Sequence, residues 1–128
     1  MIGVLNINKP YRKSSHDVVQ AVRRITDVRR VGHTGTLDPL ATGVLVVLVG
    51  PATRLTQFIM GADKAYRAVI RLGVMTTTYD GEGEVASRAP ASMMDDVDRA
   101  AIAAALRTFE GEIAQVPPMY SAVRVQGR

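Results

Sequence analysis

Central to the chain is the stretch Val31-Gly32-His33-Thr34-Gly35-Thr36-Leu37-Asp38-Pro39-Leu40-Ala41-Thr42-Gly43-Val44-Leu45. Its three glycines and three threonines predict a loop whose backbone can approach a partner closely. The aliphatic, mostly β-branched run 44–49 that ends it predicts a buried strand. Functional side chains are often placed on such a loop, and Asp38 is the acidic residue of this one.

Asp38 has two interpretations at this point. Asp38-Pro39 is a favourable helix start, with the aspartate as N-cap and the proline at the first helical position, and Gly43 would end a single turn. The other interpretation is a reactive carboxylate presented by the loop. Spacing alone leaves both open.

Length and composition predict one modest domain. The chain has 128 residues, of which 47% are hydrophobic, so it can bury a core. It has no cysteine, which excludes disulfides and thiolate metal sites. The longest apolar run, residues 44–49, is too short to span a membrane, and the N-terminus lacks the pattern of a secretion signal. We therefore expect a soluble, cytoplasmic protein.

Charge is distributed unevenly along the chain. Residues 1–73 contain eleven Lys or Arg and four Asp or Glu, a balance of +7, whereas residues 74–128 contain five and eight, a balance of −3. Together they give the net charge of +4. A basic first half favours a polyanionic partner such as nucleic acid, although an arginine-rich solvated surface explains it equally well.

The first half of the chain predicts a strand followed by a helix. Residues 3–8 alternate apolar and polar side chains up to Lys9-Pro10. Ser14 or Ser15 is a candidate N-cap for a helix over about residues 15–27. The apolar face of that helix is predicted to contain Val18, Val22 and Ile25, while polar residues including Arg23 face away.

The rest of the chain is also predicted to contain both helices and strands. Its segments are a short helix over 51–60, a strand over 64–73, a loop over 75–83, a brief strand over 84–87, one helix from Ser92 to Gly111, and a turn and strand over 116–127. The strand over 64–73 has the clearest alternation. Tyr66 lies on its apolar side, where a tyrosine ordinarily packs in the core or at a sheet edge.

The order of residues in the central stretch resembles a known motif. Gly-His-Thr-Gly-Thr-Leu-Asp-Pro-Leu-Ala-Thr-Gly, residues 32–43, is similar to the catalytic motif of the TruB family of tRNA pseudouridine synthases. The segments Lys64-Ala65-Tyr66-Arg67 and Pro117-Pro118-Met119-Tyr120-Ser121-Ala122 resemble further family motifs, as does the acidic loop with Asp80. The resemblance covers Gly3 to Arg128.

The resemblance implies a fold and a domain organisation. The expected fold is α+β, a mixed, mostly antiparallel sheet with flanking helices, of the pseudouridine synthase catalytic-domain type. Residues 1–128 would form the N-terminal portion of that catalytic domain. The rest of the catalytic domain and a C-terminal RNA-binding domain would be absent from this chain.

The resemblance also implies roles for individual residues. Asp38 would be the nucleophile, Tyr66 would lie against the target base, and His33 would occupy the gap near the flipped nucleotide. Lys9 and the following proline resemble the first family motif and would brace the site. Substrate binding is expected from His33, Tyr66, Thr36, Lys9 and Arg30.

The implied activity is conversion of uridine to pseudouridine in the T-loop of tRNA, at the position numbered 55 by convention. This isomerisation requires no cofactor and no metal, and the sequence places no second His, Cys or carboxylate at ligand spacing from His33. The expected partner is the T stem-loop of tRNA, with no membrane and no obligatory protein partner. One alternative is a guide-RNA-dependent synthase of the dyskerin or Cbf5 type. The other is a non-catalytic RNA-binding module, for which the basic half would suffice and Asp38 would be only a cap.

Overall fold

The computed structural model describes residues 1–115, so the predicted turn and strand over 116–127 lie outside the described residues. The chain divides into two compact units, Met1–Tyr66 and Arg67–Arg128, where the composition had predicted one domain. No helix within residues 1–115 is long and apolar enough to cross a lipid bilayer.

A three-stranded antiparallel sheet forms the centre of the first unit. Its strands are β1 (Gly3–Lys9), β2 (Val31–His33) and β3 (Gly43–Val49), in the order β1-β3-β2. Lys9 pairs with Gly43 at one end of the sheet. Because β2 ends at His33, opposite Val47, and β3 begins at Gly43, residues 34–42 run from a point beside β3 to the end of the sheet where Lys9 and Gly43 pair.

Helix α1 (Ser15–Thr26) packs on one face of this sheet. Its N-cap is Ser14, which forms a capping box with Asp17. The core consists of valines and one leucine from the helix and the sheet: Val18, Val19, Val22, Val31, Leu45, Val47 and Val49. Each such side chain, when fully buried, contributes roughly 1.5–3 kcal/mol to stability.

The buried face of α1 differs from the predicted one at two residues. Ile25 is 84% exposed, and Val19 is buried instead, because the helix contacts the sheet on the side that contains Val19. Arg23 was predicted to face away, yet it is partly buried and donates to the carbonyl of Val31 at 3.0 Å. Arg23 therefore connects α1 to the start of β2.

The segment after β3 is helical but tighter than predicted. It begins as a 3₁₀ helix over Gly50–Leu55 and continues as one turn of α2 (Thr56–Ile59). Pro51 lies in its first turn, as the sequence indicated. Phe58 in α2 is 73% exposed.

Residues 63–71 are not a strand, which corrects the prediction for 64–73. Alternation produces a strand only where a neighbouring strand offers its hydrogen bonds, and none in residues 1–115 pairs with this segment. Lys64 in this segment makes local hydrogen bonds, from its ammonium to the carbonyls of Met60 (2.8 Å) and Ala62 (3.0 Å).

The second unit contains a β-hairpin and two helices. Strands β4 (Val74–Thr76) and β5 (Val85–Arg88) pair in antiparallel orientation. The single helix predicted from Ser92 is two helices, α3 (Ser92–Asp95) and α4 (Arg99–Arg107). The break occurs because Asp98 becomes the N-cap of α4 and accepts a hydrogen bond from the amide of Ala101 at 2.7 Å.

Taken by itself, each unit combines helices with antiparallel strands. The predicted α+β class is therefore confirmed.

Candidate active site

The Asp38 loop, defined here as residues 34–42, lies at the end of the sheet where β1 ends and β3 begins. Asp38 is exposed, and no helix starts at this residue, so the interpretation of Asp38 as a helix N-cap is wrong. The local structure is a turn, in which the amide of Ala41 donates to the carbonyl of Asp38 at 3.0 Å. The backbone of Asp38 is thus used in the turn while its carboxylate stays at the surface.

The residue before Asp38 is attached to the start of α1. The amide of Leu37 donates to Oγ of Ser15 at 2.9 Å, and the Ser15 hydroxyl donates to the carbonyl of Leu37 at 3.2 Å. Leu37 also packs against the core with its apolar side chain. Both main-chain polar groups of Leu37 are therefore satisfied by one buried hydroxyl.

The residue after Asp38 is attached to the end of β1. The carbonyl of Pro39 accepts hydrogen bonds from the amide of Arg12 at 2.8 Å and from Nζ of Lys9 at 3.3 Å. Arg12 has a left-handed backbone, φ 60°, in the turn between β1 and α1. The loop is therefore held on both sides of Asp38 by the segment 9–15.

Lys9 is 0% exposed. Besides the carbonyl of Pro39, its ammonium donates to the carbonyls of Pro10 (3.1 Å) and Lys13 (2.5 Å). An ammonium has three N–H donors, and all three are engaged. Lys9 therefore joins the turn after β1 to the Asp38 loop, and its expected role as a substrate contact stays a prediction.

His33 is the last residue of β2 and is partly buried. It pairs with Val47, so its side chain shares the face of the sheet that packs on α1. Its Nδ1 is buried, and no hydrogen-bond partner is present for it within residues 1–115. A buried ring nitrogen of this kind is normally satisfied by a partner, which the described residues do not supply.

Thr36 and Arg30 occupy different places. Thr36 is exposed within the Asp38 loop, two residues before the carboxylate. Arg30 lies at the opposite end of the sheet, where its Nε donates to the hydroxyl of Thr53 at 2.6 Å. Arg30 is bonded to Gly50, just past the last residue of β3, whereas Pro39 contacts Lys9, which pairs with the first residue of β3; a seven-residue strand is about 20 Å long. The structure does not bring Arg30 beside Asp38.

Tyr66 is 72% exposed and lies in the irregular segment 63–71. The predicted core or edge packing of its ring is therefore wrong. Exposure leaves the ring free to contact another molecule, and its role against a base stays a prediction.

Asp80, the acidic residue of the second unit's loop, has a local structural role. Its Oδ1 accepts hydrogen bonds from the hydroxyl of Thr78 at 2.5 Å and from the amide of Glu82 at 2.9 Å. These hydrogen bonds, the Thr78 one first, hold the pKa of Asp80 below its ordinary value. The carboxylate therefore stabilises the turn between β4 and β5.

Ser15 is the site residue that the sequence did not reveal. Two consecutive serines precede α1, and only one of them can be the N-cap. Since Ser14 caps the helix, the second hydroxyl was available for another partner, which the structure shows to be Leu37. The sequence feature that could have indicated this contact is the second serine, which the cap does not need.

The arrangement offers a single exposed carboxylate on a rigidly held loop. Within residues 1–115, no group of three or more His, Cys, Asp or Glu side chains is placed to hold a metal ion. An exposed carboxylate such as that of Asp38 can act as a nucleophile or in acid–base chemistry.

This chain is similar to proteins of one known family. Residues 23–128 match the family described as TruB family pseudouridylate synthase (N terminal domain). This chain is 55% identical to tRNA pseudouridine synthase B of Thermobifida fusca and 56% identical to that of Symbiobacterium thermophilum, in each case over 126 residues, or 98% of the chain. Among solved structures, a chain of a Cbf5-Nop10-Gar1 complex matches 95% of this chain at 31% identity, with a TM-score of 0.62.

The matches cover only part of each relative. The chain spans 42% and 41% of the two synthases and 31% of the chain in the solved complex. The family match includes the Asp38 loop, β3 and everything that follows them. This chain belongs to the TruB family of pseudouridylate synthases, and the part of the family that it matches is the N-terminal domain.

Proposed function

We propose that the protein converts uridine to pseudouridine in the T-loop of tRNA, at the position numbered 55, with Asp38 as the nucleophile. The observation that carries the proposal is the exposed carboxylate of Asp38 on a loop whose neighbouring residues are fixed. Membership of the TruB family and relatives named tRNA pseudouridine synthase B support it.

The reaction is an isomerisation in which one bond is exchanged for another. The bond from ribose C1′ to N1 of uracil breaks, the base turns, and C1′ bonds to C5. The hydrogen on C5 leaves as a proton and N1 gains one, so the product has the atoms of the substrate.

A carboxylate suits this reaction because it is ionised near neutral pH. It can attack an electrophilic carbon of the sugar or the base, or take a proton from the sugar. Glycoside-cleaving enzymes show that a carboxylate can act at an oxocarbenium-like sugar carbon. One well-placed aspartate is therefore sufficient for the covalent step.

The target base must leave its stack to reach Asp38, which costs on the order of a few kcal/mol. Stacking on an aromatic ring offsets roughly 1–3 kcal/mol of that cost. We assign this role to Tyr66, whose ring is exposed. His33 and Thr36 are the proposed substrate contacts beside Asp38, and Arg30 is a proposed phosphate contact farther along the sheet.

A guide-RNA-dependent synthase of the dyskerin or Cbf5 type is the second candidate, because one matching solved structure is a Cbf5-Nop10-Gar1 complex. The higher identity to the tRNA synthases, 55–56% against 31%, favours the bare tRNA substrate.

The test uses a T stem-loop RNA labelled with tritium at C5 of its uridines. Since C1′ replaces the C5 hydrogen, turnover releases tritium to water. We expect the intact protein to release one equivalent per RNA without any guide RNA, and an RNA with cytidine at position 55 to yield no pseudouridine. Release only after a guide is added would support the second candidate. RNA binding without release under either condition would indicate a non-catalytic module.

A further inference from the structure

Ser15 makes an unusual pair of hydrogen bonds with the residue beside the proposed nucleophile. Its side chain is almost fully buried and bonds both the amide and the carbonyl of Leu37, which is 22 positions later in the chain. Removing the hydroxyl would leave two main-chain groups without their partner in a part-buried position. Ser15 is therefore coupled to the backbone position of Leu37.

The other side of Asp38 is held by different groups. Pro39 is fixed through its carbonyl by the amide of Arg12 and the ammonium of Lys9. The proline ring also restricts its own φ angle. Asp38 thus lies between two fixed residues, and the remaining freedom of its carboxylate is mainly that of its side-chain torsions.

We infer that Ser15 is a positioning residue for catalysis, which acts through Leu37 to hold the Asp38 carboxylate at the reacting carbon. The inference rests on the proposed function of Asp38. Ser15 is buried, and its hydroxyl is engaged by the main chain of Leu37. Its effect is geometric, because a displacement of about 1 Å in a reacting group can reduce a rate on the order of a hundredfold.

Ser14 provides a matched control. It is the neighbouring residue, it carries the same hydroxyl, and it also bonds a backbone amide, that of Asp17. Its hydrogen bonds cap α1 and do not reach the Asp38 loop. A role of Ser15 in folding alone would make the two alanine variants behave alike.

The experiment compares Ser15→Ala and Ser14→Ala of the intact protein in the tritium-release assay, with thermal unfolding measured in parallel. For Ser15→Ala we expect kcat to fall at least tenfold while KM for the T stem-loop changes less than twofold. For Ser14→Ala we expect a lower melting temperature with kcat within twofold of the wild type. Hydrogen exchange should show faster exchange of the Leu37 amide in Ser15→Ala only.

Two results would overturn the inference. One is a Ser15→Ala protein whose kcat stays within twofold of the wild type, and the other is an equal kcat loss in both variants. If Ser15→Ala does not fold, Ser15→Cys replaces it with the same expected split between kcat and KM, because a thiol fills the site but donates weakly.

Failure of the proposed function is a separate result, namely a wild-type protein that releases no tritium. The Leu37 amide then decides: unchanged exchange in Ser15→Ala rejects the coupling, and faster exchange confirms it.

Discussion

At the residue scale, the ammonium of Lys9 shows how a charged group is accommodated in the interior. An unpaired buried charge would cost far more than the net stability of a domain allows. Here the carbonyls of three residues, Pro10, Lys13 and Pro39, surround the ammonium. They come from the turn after β1 and from the Asp38 loop, so one buried cation joins two loops.

Replacing Lys9 with methionine tests this role. The Lys9→Met side chain keeps the length but removes the donors, and the carbonyls of Pro10 and Lys13 lose the bond from the ammonium. We expect the free energy of unfolding to fall by about 3 kcal/mol, in line with the cost of unsatisfied buried acceptors. Urea unfolding of the intact protein measures it. The control is Lys13→Met, an exposed lysine whose loss should change stability by less than about 0.5 kcal/mol. Equal effects of the two substitutions would contradict the bracing role.

The residue scale is also where sequence reasoning succeeded and failed most clearly. The exposed loop position of Asp38 could be predicted because its motif is contiguous. The contacts of Ser15 and Lys9 could not, since they join residues 22 and 30 positions apart and depend on how α1 and the loop come together in space. A helix cap can be predicted from neighbouring residues, whereas a hydrogen bond to a carbonyl in a distant loop cannot.

At the scale of elements, the bounds of α1 were well predicted because its capping signals are local, whereas its buried face, which depends on the sheet, was not. Ser14 accepts from the amide of Asp17 at 3.1 Å, and Asp17 Oδ2 accepts from the amide and the hydroxyl of Ser14. The Ser14 hydroxyl and then its amide hold the pKa of Asp17 below the ordinary value of 3.8. The capping box thus links the stability of α1 to pH.

The sign of this pH dependence follows from the direction of the shift. A carboxyl whose pKa is lower in the folded state stabilises the fold above its unfolded pKa, and the effect is lost as pH falls through the folded value. We expect the stability difference between wild type and Asp17→Asn to be full at pH 6 and to shrink below about pH 3.8. Urea unfolding at pH 6, 4 and 3 measures it. In a Ser14→Ala background the pH-dependent part should become smaller, and an unchanged pH dependence there would contradict the assignment.

The segment 63–71 and the helix after Ser92 were predicted incorrectly for physical reasons. The alternation of 64–73 describes which side chains would share a face, but a strand also needs a partner for its backbone. In the second unit, the aspartates that follow Ser92 favour the first turn of one long helix, because the positive end of the helix dipole attracts negative charge. Asp98 instead starts a new helix, because its carboxylate bonds the amide of Ala101.

At the scale of the whole molecule, the charge distribution gives a testable property. The balance of +7 in residues 1–73 predicts an electrostatic component in RNA binding, with affinity that falls as salt rises. Arg30 is exposed and remote from Asp38, so its proposed contribution is to affinity rather than to the chemical step.

Replacement of Arg30 tests that contribution. For Arg30→Gln we expect weaker binding to tRNA, a slope of log affinity against log salt smaller in magnitude by about 0.9, and kcat within twofold. The comparison is Arg107→Gln, an exposed arginine in the acidic half of the chain, for which we expect an unchanged slope. Filter binding between 50 and 200 mM salt gives both slopes. Equal slopes for Arg30→Gln and the wild type would show that Arg30 makes no phosphate contact.

The fold class and the family could be predicted from the sequence at this scale, because the motif and the α+β pattern extend over most of the chain. The division into two units could not. The boundary at Tyr66 falls within the most regular alternating stretch of the sequence, which has the composition of a strand rather than of a linker.

The most direct measurement is the single-turnover rate of Asp38→Asn on a T stem-loop, with saturating protein, beside that of Asp27→Asn. Both substitutions remove one negative charge at an exposed aspartate, and asparagine tolerates the left-handed backbone of Asp27 at the end of α1. We predict that Asp38→Asn loses at least roughly a thousandfold in rate while binding the RNA within twofold of the wild type, because the nucleophile is gone and its surroundings remain. Asp27→Asn should match the wild type in both. An Asp38→Asn rate within tenfold of the Asp27→Asn rate would contradict the assignment of Asp38 as the nucleophile.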